Sequence, residues 1–466
     1  MGMEVVNMAL QFQGAHEPLF TDMNLQIEKG EKVLIVGPSG SGKSTLLNIL
    51  SGLMPRVIDA LLEADHMDLP DGGAVVFQDP DSQFTMPTIG EELAFIMENN
   101  QVHVDDMTSN ALSTLEAVGL KKPLETQISS LSGGMKQKLA IASALLQKAD
   151  TFFLDEPTSM LDENTACSLW ETIQEVWEER TVVIVEHRVE HVWFRVDRII
   201  LLNDEGCIVA SATPGEMLSD NREALDALGV WHPHSWQNAP RFTKSIDNGV
   251  PLLQINDLSI SRVGNELLSV DELHIPKGQW ITLEGENGSG KSSFMMAVMK
   301  LMQTRGEVIF EDHPIRKTKQ FQGALYPVFQ NPELQFITNS VFDEVFINLE
   351  MHHDEAAAKK KTGQVLSRMG LSHIKRLHPL EISTGQKRRL SVATALGGIP
   401  QIIFLDEPTF GLDARHTFKL LELIHELVED GTTIIMITHD KEIKERYPSR
   451  RLKIHNGMLE EVGGGV

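Results

Sequence analysis

Val36-Gly37-Pro38-Ser39-Gly40-Ser41-Gly42-Lys43-Ser44-Thr45 is an apolar run that ends in a glycine-rich turn closed by a lysine and two hydroxyls. The pattern G-x-x-x-x-G-K-[ST] lets a backbone wrap a phosphate group closely, with N–H groups pointing inward. At this spacing the lysine reaches the β- and γ-phosphates, and the first hydroxyl is placed to ligate Mg²⁺. The stretch then recurs as Glu284-Gly285-Glu286-Asn287-Gly288-Ser289-Gly290-Lys291-Ser292-Ser293. Helical segments expected over Leu46–Leu53 and Phe294–Leu301 offer their positive N-terminal ends to the same anion.

The recurrence extends along the chain. Phe77-Gln78-Asp79-Pro80 returns as Phe329-Gln330-Asn331-Pro332, and Leu131-Ser132-Gly133-Gly134 as Ile382-Ser383-Thr384-Gly385. Phe153-Leu154-Asp155-Glu156-Pro157-Thr158 returns as Phe404-Leu405-Asp406-Glu407-Pro408-Thr409, and Glu186-His187-Arg188 as Thr438-His439-Asp440. Every pair lies about 250 residues apart and the order is kept, which marks an internal duplication. The expected organisation is a first domain over residues 1–220, a linker over 221–249 and a second domain over 250–466. The linker is rich in Pro and Gly, with one short helix near Arg222–Leu228. Its His232-Pro233-His234 reads as a solvated histidine pair, since no third metal ligand stands nearby.

Within each copy, Lys32–Val36, Thr151–Leu154 and Thr181–Val185, and then Trp280–Glu284, Gln401–Leu405 and Thr432–Ile437, are short apolar or β-branched runs separated by helical stretches. Such runs predict an α/β fold with a mainly parallel sheet covered on both faces, and chemistry at the carboxyl ends of the strands. Asp155 and Asp406 end strands and suit a Mg²⁺ shell, while Glu156 and Glu407 follow them, placed to polarise an attacking water. His187 and His439 each end a strand where a γ-phosphate sensor is expected. Gln78 and Gln330 suit Mg²⁺ or the attacking water. Ser132-Gly133-Gly134 and Ser383-Thr384-Gly385-Gln386 open helices expected over Lys136–Leu146 and Lys387–Leu396. A serine with glycines there is a phosphate-binding surface or an ordinary helix cap, and only its order relative to the phosphate loop favours the former.

Composition sets outer bounds. With 41 Lys and Arg against 66 Asp and Glu, the net charge of −25 argues against a phosphate backbone as the main partner. Two cysteines exclude a disulfide framework and point to a reducing compartment. No apolar run approaches the roughly 20 residues that span a bilayer, and neither a signal peptide nor a covalent membrane anchor is expected from the first residues.

Phosphate loop, Q-loop, signature, Asp-Glu pair, D-loop (Ser159-Met160-Leu161-Asp162; Phe410-Gly411-Leu412-Asp413) and switch histidine resemble, in order, the motifs of an ATP-binding-cassette ATPase. Phe77–Phe84, Phe329–Phe336 and Val185-Glu186-His187-Arg188 further resemble the fused two-cassette ATPases of energy-coupling-factor vitamin importers, of which those for thiamine precursors are the nearest. The resemblance implies tandem P-loop NTPase cassettes, each with an antiparallel β part and a helical signature subdomain. It implies ATP and Mg²⁺ as ligands. It also implies head-to-tail closure in which each ATP lies between the phosphate loop of one half and the signature of the other. The implied partners are a transmembrane coupling subunit and a separate substrate-binding membrane protein, with the chain peripheral on the cytoplasmic face of the membrane. Glu91, Glu92, Asp343 and Glu344, with Ile89, Leu93, Ile96, Val341, Val345 and Leu349 at helical spacing, are expected to form an acidic rim beside an apolar groove for basic coupling helices.

The chain departs from the family at three places. Phe12 suits an adenine-stacking role, whereas the matching stretch Leu258–Arg262 has no aromatic and offers Arg262 instead. Thr384 stands where glycine is usual, and threonine suits neither close approach nor positive φ. Met135 replaces the signature glutamine. Both halves keep glutamate and histidine, so both are expected to hydrolyse ATP. A soluble tandem cassette acting on ribosomes or nucleic acid and an exporter ATPase are the competing readings; the short Pro-containing linker and the acidic charge speak against the former.

Overall fold

The computed structural model describes residues 2–462, apart from 15, 16, 56, 57, 59, 71, 159, 160, 162, 178, 244–248, 263, 264, 287, 322 and 399. The chain forms two compact units, Met1–Gln237 with Asp413–Arg415, and Asn238–Leu412 with His416–Val466.

The first unit is built on a six-stranded sheet in the order Ile208–Ala212, Arg198–Leu202, Lys32–Val36, Thr181–Val185, Thr151–Asp155 and Ala74–Val76. All neighbours are parallel except the edge hairpin Arg198–Leu202/Ile208–Ala212. Thr151–Asp155 and Thr181–Val185 are buried at every residue, as strands covered on both faces require. Alternate residues serve the two faces. Leu34 and Val36 pack with Leu93, Leu139 and Trp170 on one side, and Val33 and Ile35 pack with Leu46, Leu50 and Met8 on the other. Register matters most for function. Ile35 and Asp155 both pair with Val185, so the strand ends leading to Gly37, Glu156 and His187 emerge along one edge of the sheet.

A smaller antiparallel sheet joins Met3–Gln11 to Phe20–Ile27, Leu61–Glu63 and His66–Asp68. Its inward set runs Met3, Val5, then Met8, Leu10, a switch from odd to even positions. The extra residue is absorbed where Asn7 takes a left-handed φ of 51° and the pairing register shifts between Val5 and Met8. The second unit repeats this device. Asp257 has φ 49°, and the buried set changes from Leu253 and Ile255 to Leu258 and Ile260.

In the second unit one continuous ten-stranded sheet runs His313–Ile315, Arg305–Phe310, Pro251–Arg262, Asn265–Pro276, Met458–Val462, Arg450–His455, Trp280–Glu284, Thr433–Ile437, Ile402–Asp406 and Leu325–Val328. Its antiparallel and parallel parts join through the Ser269–Met458 pairing. Leu283 and Asp406 both pair with Ile437, which reproduces the single functional edge.

Each unit also carries a helical part: Ile89–Asn99, Val104–Ala117 and Gly133–Leu146, and in the second Val341–Glu350, Glu355–Arg368 and Thr384–Ala395. Thr88 and Glu91 form a reciprocal capping box that starts the first of these, and Ser340 caps its counterpart. The expected acidic rim is corrected here. Glu92 and Glu344 turn inward, and the buried Glu92 accepts from the Thr85 and Met86 amides at 2.9 and 2.8 Å. Glu344 takes the Ile337 amide at 2.6 Å and the Thr338 amide. A buried carboxylate is tolerated only when so bonded. Ile89, Leu93, Val341, Val345 and Leu349 are core residues, whereas the half-buried Ile96 lines an open cavity with Glu92 and Phe95. Glu91 and Asp343 remain exposed.

The stretch 221–249 holds the expected helix Arg222–Leu228, preceded by a second, Pro214–Asp220. Its histidine pair is not solvated as expected. His232 is buried, its Nε2 lies 2.9 Å from Asp226, and its Nδ1 accepts from the His234 amide at 3.3 Å. Burial holds its pKa below the usual value. Among the described residues no helix is long and apolar enough to cross a membrane.

Candidate functional site

The glycine-rich turn closes differently from expectation at its helical end. The helices begin at Lys43 and Lys291, three residues before the apolar periodicity starts, because Gly42 and Gly290 take φ of 87° and 106° and turn the chain directly into the first helical turn. Lys43 is buried, and its Nζ donates to the carbonyls of Gly37 and Pro38, each at 2.9 Å. Lys291 donates to Gly285 and Glu286 at 2.8 and 2.9 Å. Burial pushes the Lys43 ammonium below its ordinary pKa, and the nearby Glu156 and Asp155 carboxylates oppose that. A Cβ on Gly37 would sit 2.7 Å from Ser41 Oγ and 2.9 Å from the Leu202 carbonyl, so this position tolerates only glycine. Gly40 and Gly288, both at positive φ, face open space. Ser41 Oγ and Ser289 Oγ are buried and make no hydrogen bond among the described residues. Orphaned hydroxyls inside a loop of inward-turning backbone fit a bound polyanion. Ser39, Thr45 and Ser293 are half-buried along the same turn and helix start; Asn287 lies outside the described residues.

The acidic pairs stand at the adjoining strand ends. Ser44 Oγ donates to Asp155 at 2.8 Å, and Ser292 Oγ to Asp406 at 2.6 Å, so each hydroxyl and carboxylate suited to Mg²⁺ already share one point. Burial raises Asp155 to about 6, reinforced by Glu156 and opposed by Ser44. Asp406 is likewise raised by burial, with Ser292, Lys291 and Arg388 opposing. Glu156 and Glu407 have φ of 47° and 49°. Non-glycine residues seldom adopt such angles, and strain of this kind at the same place in both copies points to function. The Glu156 and Glu407 amides bond the Val185 and Ile437 carbonyls at 2.8 and 2.9 Å, which locks the turn to the histidine strand.

The surroundings of the two glutamates differ. Glu156 accepts from Gln78 Nε2 at 2.9 Å and lies 3.1 Å from His187 Nε2. Burial works to raise its pKa, but the His187 ring and Lys43 more than offset this and leave it lowered. His439 lies 3.7 Å from Glu407, and Gln330 is exposed. Behind each Q-loop stands a buried side chain of the signature helix. Gln137 donates to the Gln78 carbonyl at 3.2 Å, and Arg388 at the matching position donates to the Phe329 carbonyl at 3.0 Å. Burial pushes the Arg388 guanidinium down to about 10, with Glu407 and Asp406 opposing. Sequence reasoning passed over this pair. The signal was present as two different chemistries at one position of the repeat, but their meaning depends on burial beside the acidic pair. Salt bridges from Lys136 to Asp81 and from Lys387 to Glu333, each 2.6 Å, tie the same helices to the same loops.

The signature serines cap helices that start at Gly133 and Thr384, ahead of the expected Lys136 and Lys387. Ser383 and Gln386 form a reciprocal capping box with bonds of 2.9 and 3.3 Å, whereas Ser132, among the described residues, accepts only the Met135 amide, at 3.4 Å. Thr384 is exposed, and neither it nor Gly133, Gly134 or Gly385 has positive φ, so the expected backbone penalty for threonine does not arise. Close approach does matter at Gly134, where a Cβ would meet Thr165 Cγ2 at 2.5 Å. Phe12 is half-buried and packs on the core beside Met8 and Leu10. The side chain of Arg262 and most of the first D-loop lie outside the described residues.

Comparison with known proteins bears on this geometry. The family described as ABC transporter matches residues 20–159 and 268–410. A Bacillus subtilis (strain 168) protein named "Putative HMP/thiamine import ATP-binding protein YkoD" is 32% identical, over 98% of this chain and 90% of that protein. A Streptococcus pneumoniae "Putative ABC transporter ATP-binding protein" is 33% identical, over 97% of this chain and 88% of its own length. Among solved structures, "RNase-L Inhibitor" superposes with a TM-score of 0.67 at 20% identity, over 98% of this chain and 90% of that one, a likeness of fold. Two family matches, each running from before the phosphate loop to just past the acidic pair, and full-length relatives above 30% identity place the chain in the ABC transporter family as an ATPase with two fused cassettes.

Proposed function

We propose that the chain is the ATP-hydrolysing motor of a membrane importer of the energy-coupling-factor type, serving a vitamin or related small solute. The observation that carries the chemistry is the convergence, in each unit, of a lysine-closed phosphate loop, a Ser–Asp pair and a left-handed glutamate facing a histidine. The import reading leans on the name of the Bacillus subtilis relative and on the Q-loop resemblance.

In this reading, the backbone of Gly37–Gly42 and of Gly285–Gly290 cradles the phosphates, and Lys43 and Lys291 exchange their carbonyl partners for phosphate oxygens. Ser44, Asp155 and Gln78, and Ser292, Asp406 and Gln330, would hold Mg²⁺, which offsets charge on the phosphates of ATP. Glu156 and Glu407 accept the proton of the attacking water as the bond between the γ-phosphorus and the ADP oxygen breaks. His187 and His439 hold those carboxylates and sense the γ-phosphate. The signature residues Ser132–Gly134 and Ser383–Gln386 complete the site of the opposite half, as the resemblance implies, and Phe12 stacks on adenine. Both sites turn over, at unequal rates.

The transmembrane coupling subunit docks on the helical parts beside the Q-loops. Exposed Phe95 lies one turn from exposed Glu91 in the first unit, and exposed Ile347 one turn from exposed Asp343 in the second, which supports docking of basic helices on each helical part. A separate membrane protein binds the solute, and nucleic acid is no partner. Purification of the tagged chain from detergent-solubilised membranes tests the proposal. A co-purifying hydrophobic membrane subunit that raises ATP turnover is expected, and recovery with ribosomal RNA in its place would overturn the transport reading.

A further inference from the structure

The histidine loop of the first unit carries a carboxylate that the chemistry above does not use. Glu186 is buried, with 2% of its surface exposed. Its Oε1 accepts from the Thr158 amide at 3.2 Å and from the Thr158 hydroxyl, and its Oε2 accepts from the His187 amide at 2.9 Å. One side chain thus bridges the two turns that carry Glu156 and His187. The bonds repay part of the cost of burying a carboxylate, yet burial, with Glu156 close by, still pushes its pKa up to about 7. In the second unit Thr438 takes this place. It is buried, but its hydroxyl accepts from the Asp440 amide, 3.2 Å away in its own loop. Thr158 is fully buried and its counterpart Thr409 is half-buried. The histidine–glutamate distance is 3.1 Å where the bridge exists and 3.7 Å where threonine stands.

We propose that Glu186 is a positioning residue that fastens the histidine loop to the turn behind Glu156 and thereby sets the His187–Glu156 contact of the first site. The inference deepens the ATPase reading and rests on it. The phosphate loop is untouched by the bridge, so its loss acts on turnover and leaves nucleotide binding alone. Glu407→Gln in the full-length chain isolates the first site for the test. In that background Glu186→Thr is expected to lower kcat roughly five- to twentyfold with KM for ATP changed less than about twofold. Glu186→Gln keeps the shape and one acceptor and is expected to return kcat to within about threefold of the parent. Thr158→Val removes the other end of the bridge and is expected to lower kcat without adding to the loss from Glu186→Thr, since both cut one linkage.

A kcat for Glu186→Thr within twofold of the parent overturns the proposal, as do losses that multiply in the double variant. If Glu186→Thr does not fold, Thr158→Val and Glu186→Gln decide: parental kcat in both overturns it. His187→Ala and Glu156→Gln in the same background separate the two levels. Loss in these with parental Glu186→Thr removes only the positioning role, whereas parental turnover in Glu156→Gln removes the ATPase assignment beneath it.

Discussion

In the first unit Gln78, Glu156 and His187 lie on one hydrogen-bonded line, backed by neutral Gln137 and braced by Glu186. In the second, His439 stands 3.7 Å from Glu407, Gln330 is exposed, a buried guanidinium replaces Gln137, and Thr438 replaces Glu186. The backbone devices are shared: the bulge at Asn7 and Asp257, the glycine-capped phosphate-loop helix, and the left-handed glutamate. The duplication has kept the geometry that makes the chemistry possible and varied the groups that tune the acidic pair. Two sites of equal architecture and unequal electrostatics follow.

The largest effect expected concerns what the sites have in common. Glu156→Gln combined with Glu407→Gln should lower ATP turnover by roughly 10²-fold or more, while each single variant loses the share of its own half. Full turnover in either single variant would remove that glutamate from the reaction. The next tests the difference directly. Arg388 lies near Asp406 and Glu407, and an added cation there opposes a divalent ion by about 1 kcal/mol. Arg388→Gln, measured with Glu156→Gln silencing the first site, should lower the Mg²⁺ concentration for half-maximal turnover roughly three- to tenfold. Gln137→Arg with Glu407→Gln should raise it at the first site. No shift in either would mean that the guanidinium does not tune the pair.

A separate effect is expected in stability. Glu186, facing Glu156, His187 and Thr158, has its folded-state pKa raised to about 7. The stabilising protonated form is therefore fully present below the ordinary glutamate range and is lost as pH rises through about 7. Relative to Glu186→Gln, the wild-type chain should lose on the order of 2–3 kcal/mol between pH 5 and pH 8, read as a widening gap between their unfolding midpoints. A pH-independent gap would contradict the buried charge. The least effect is expected at Thr384. It is exposed with ordinary φ, and a Cβ on its counterpart Gly133 would have 4.0 Å to its nearest neighbour, Leu161. Thr384→Gly should change second-signature function within about twofold; a tenfold gain would show that threonine is what makes the sites unequal.

These contrasts mark what was legible from the residues alone. The parallel sheet and the phosphate loops could be read because short apolar strands and a fixed glycine spacing leave few alternatives, and the repeat gave each reading a second witness. Apolar periodicity puts the helix starts three residues late, since it begins after the cap while Gly42, Ser132 and their counterparts start the helix earlier. Pattern alone puts Glu92 on an acidic rim and His232 in solvent, because their burial depends on which amides and carboxylates tertiary packing brings to them. Arg388 and Glu186 receive no role from the sequence for the same reason: a charged residue in a chain with 23% charged residues draws attention only once it is buried beside a functional pair.

Equilibrium binding of labelled ATP with Mg²⁺ to the Glu156→Gln/Glu407→Gln chain tests the central claim most directly. Two nucleotides per chain are predicted, falling to one on adding either Lys43→Ala or Lys291→Ala and to none with both. A single nucleotide in the parent, or an unchanged count after loss of either lysine, would contradict the presence of two working phosphate cradles.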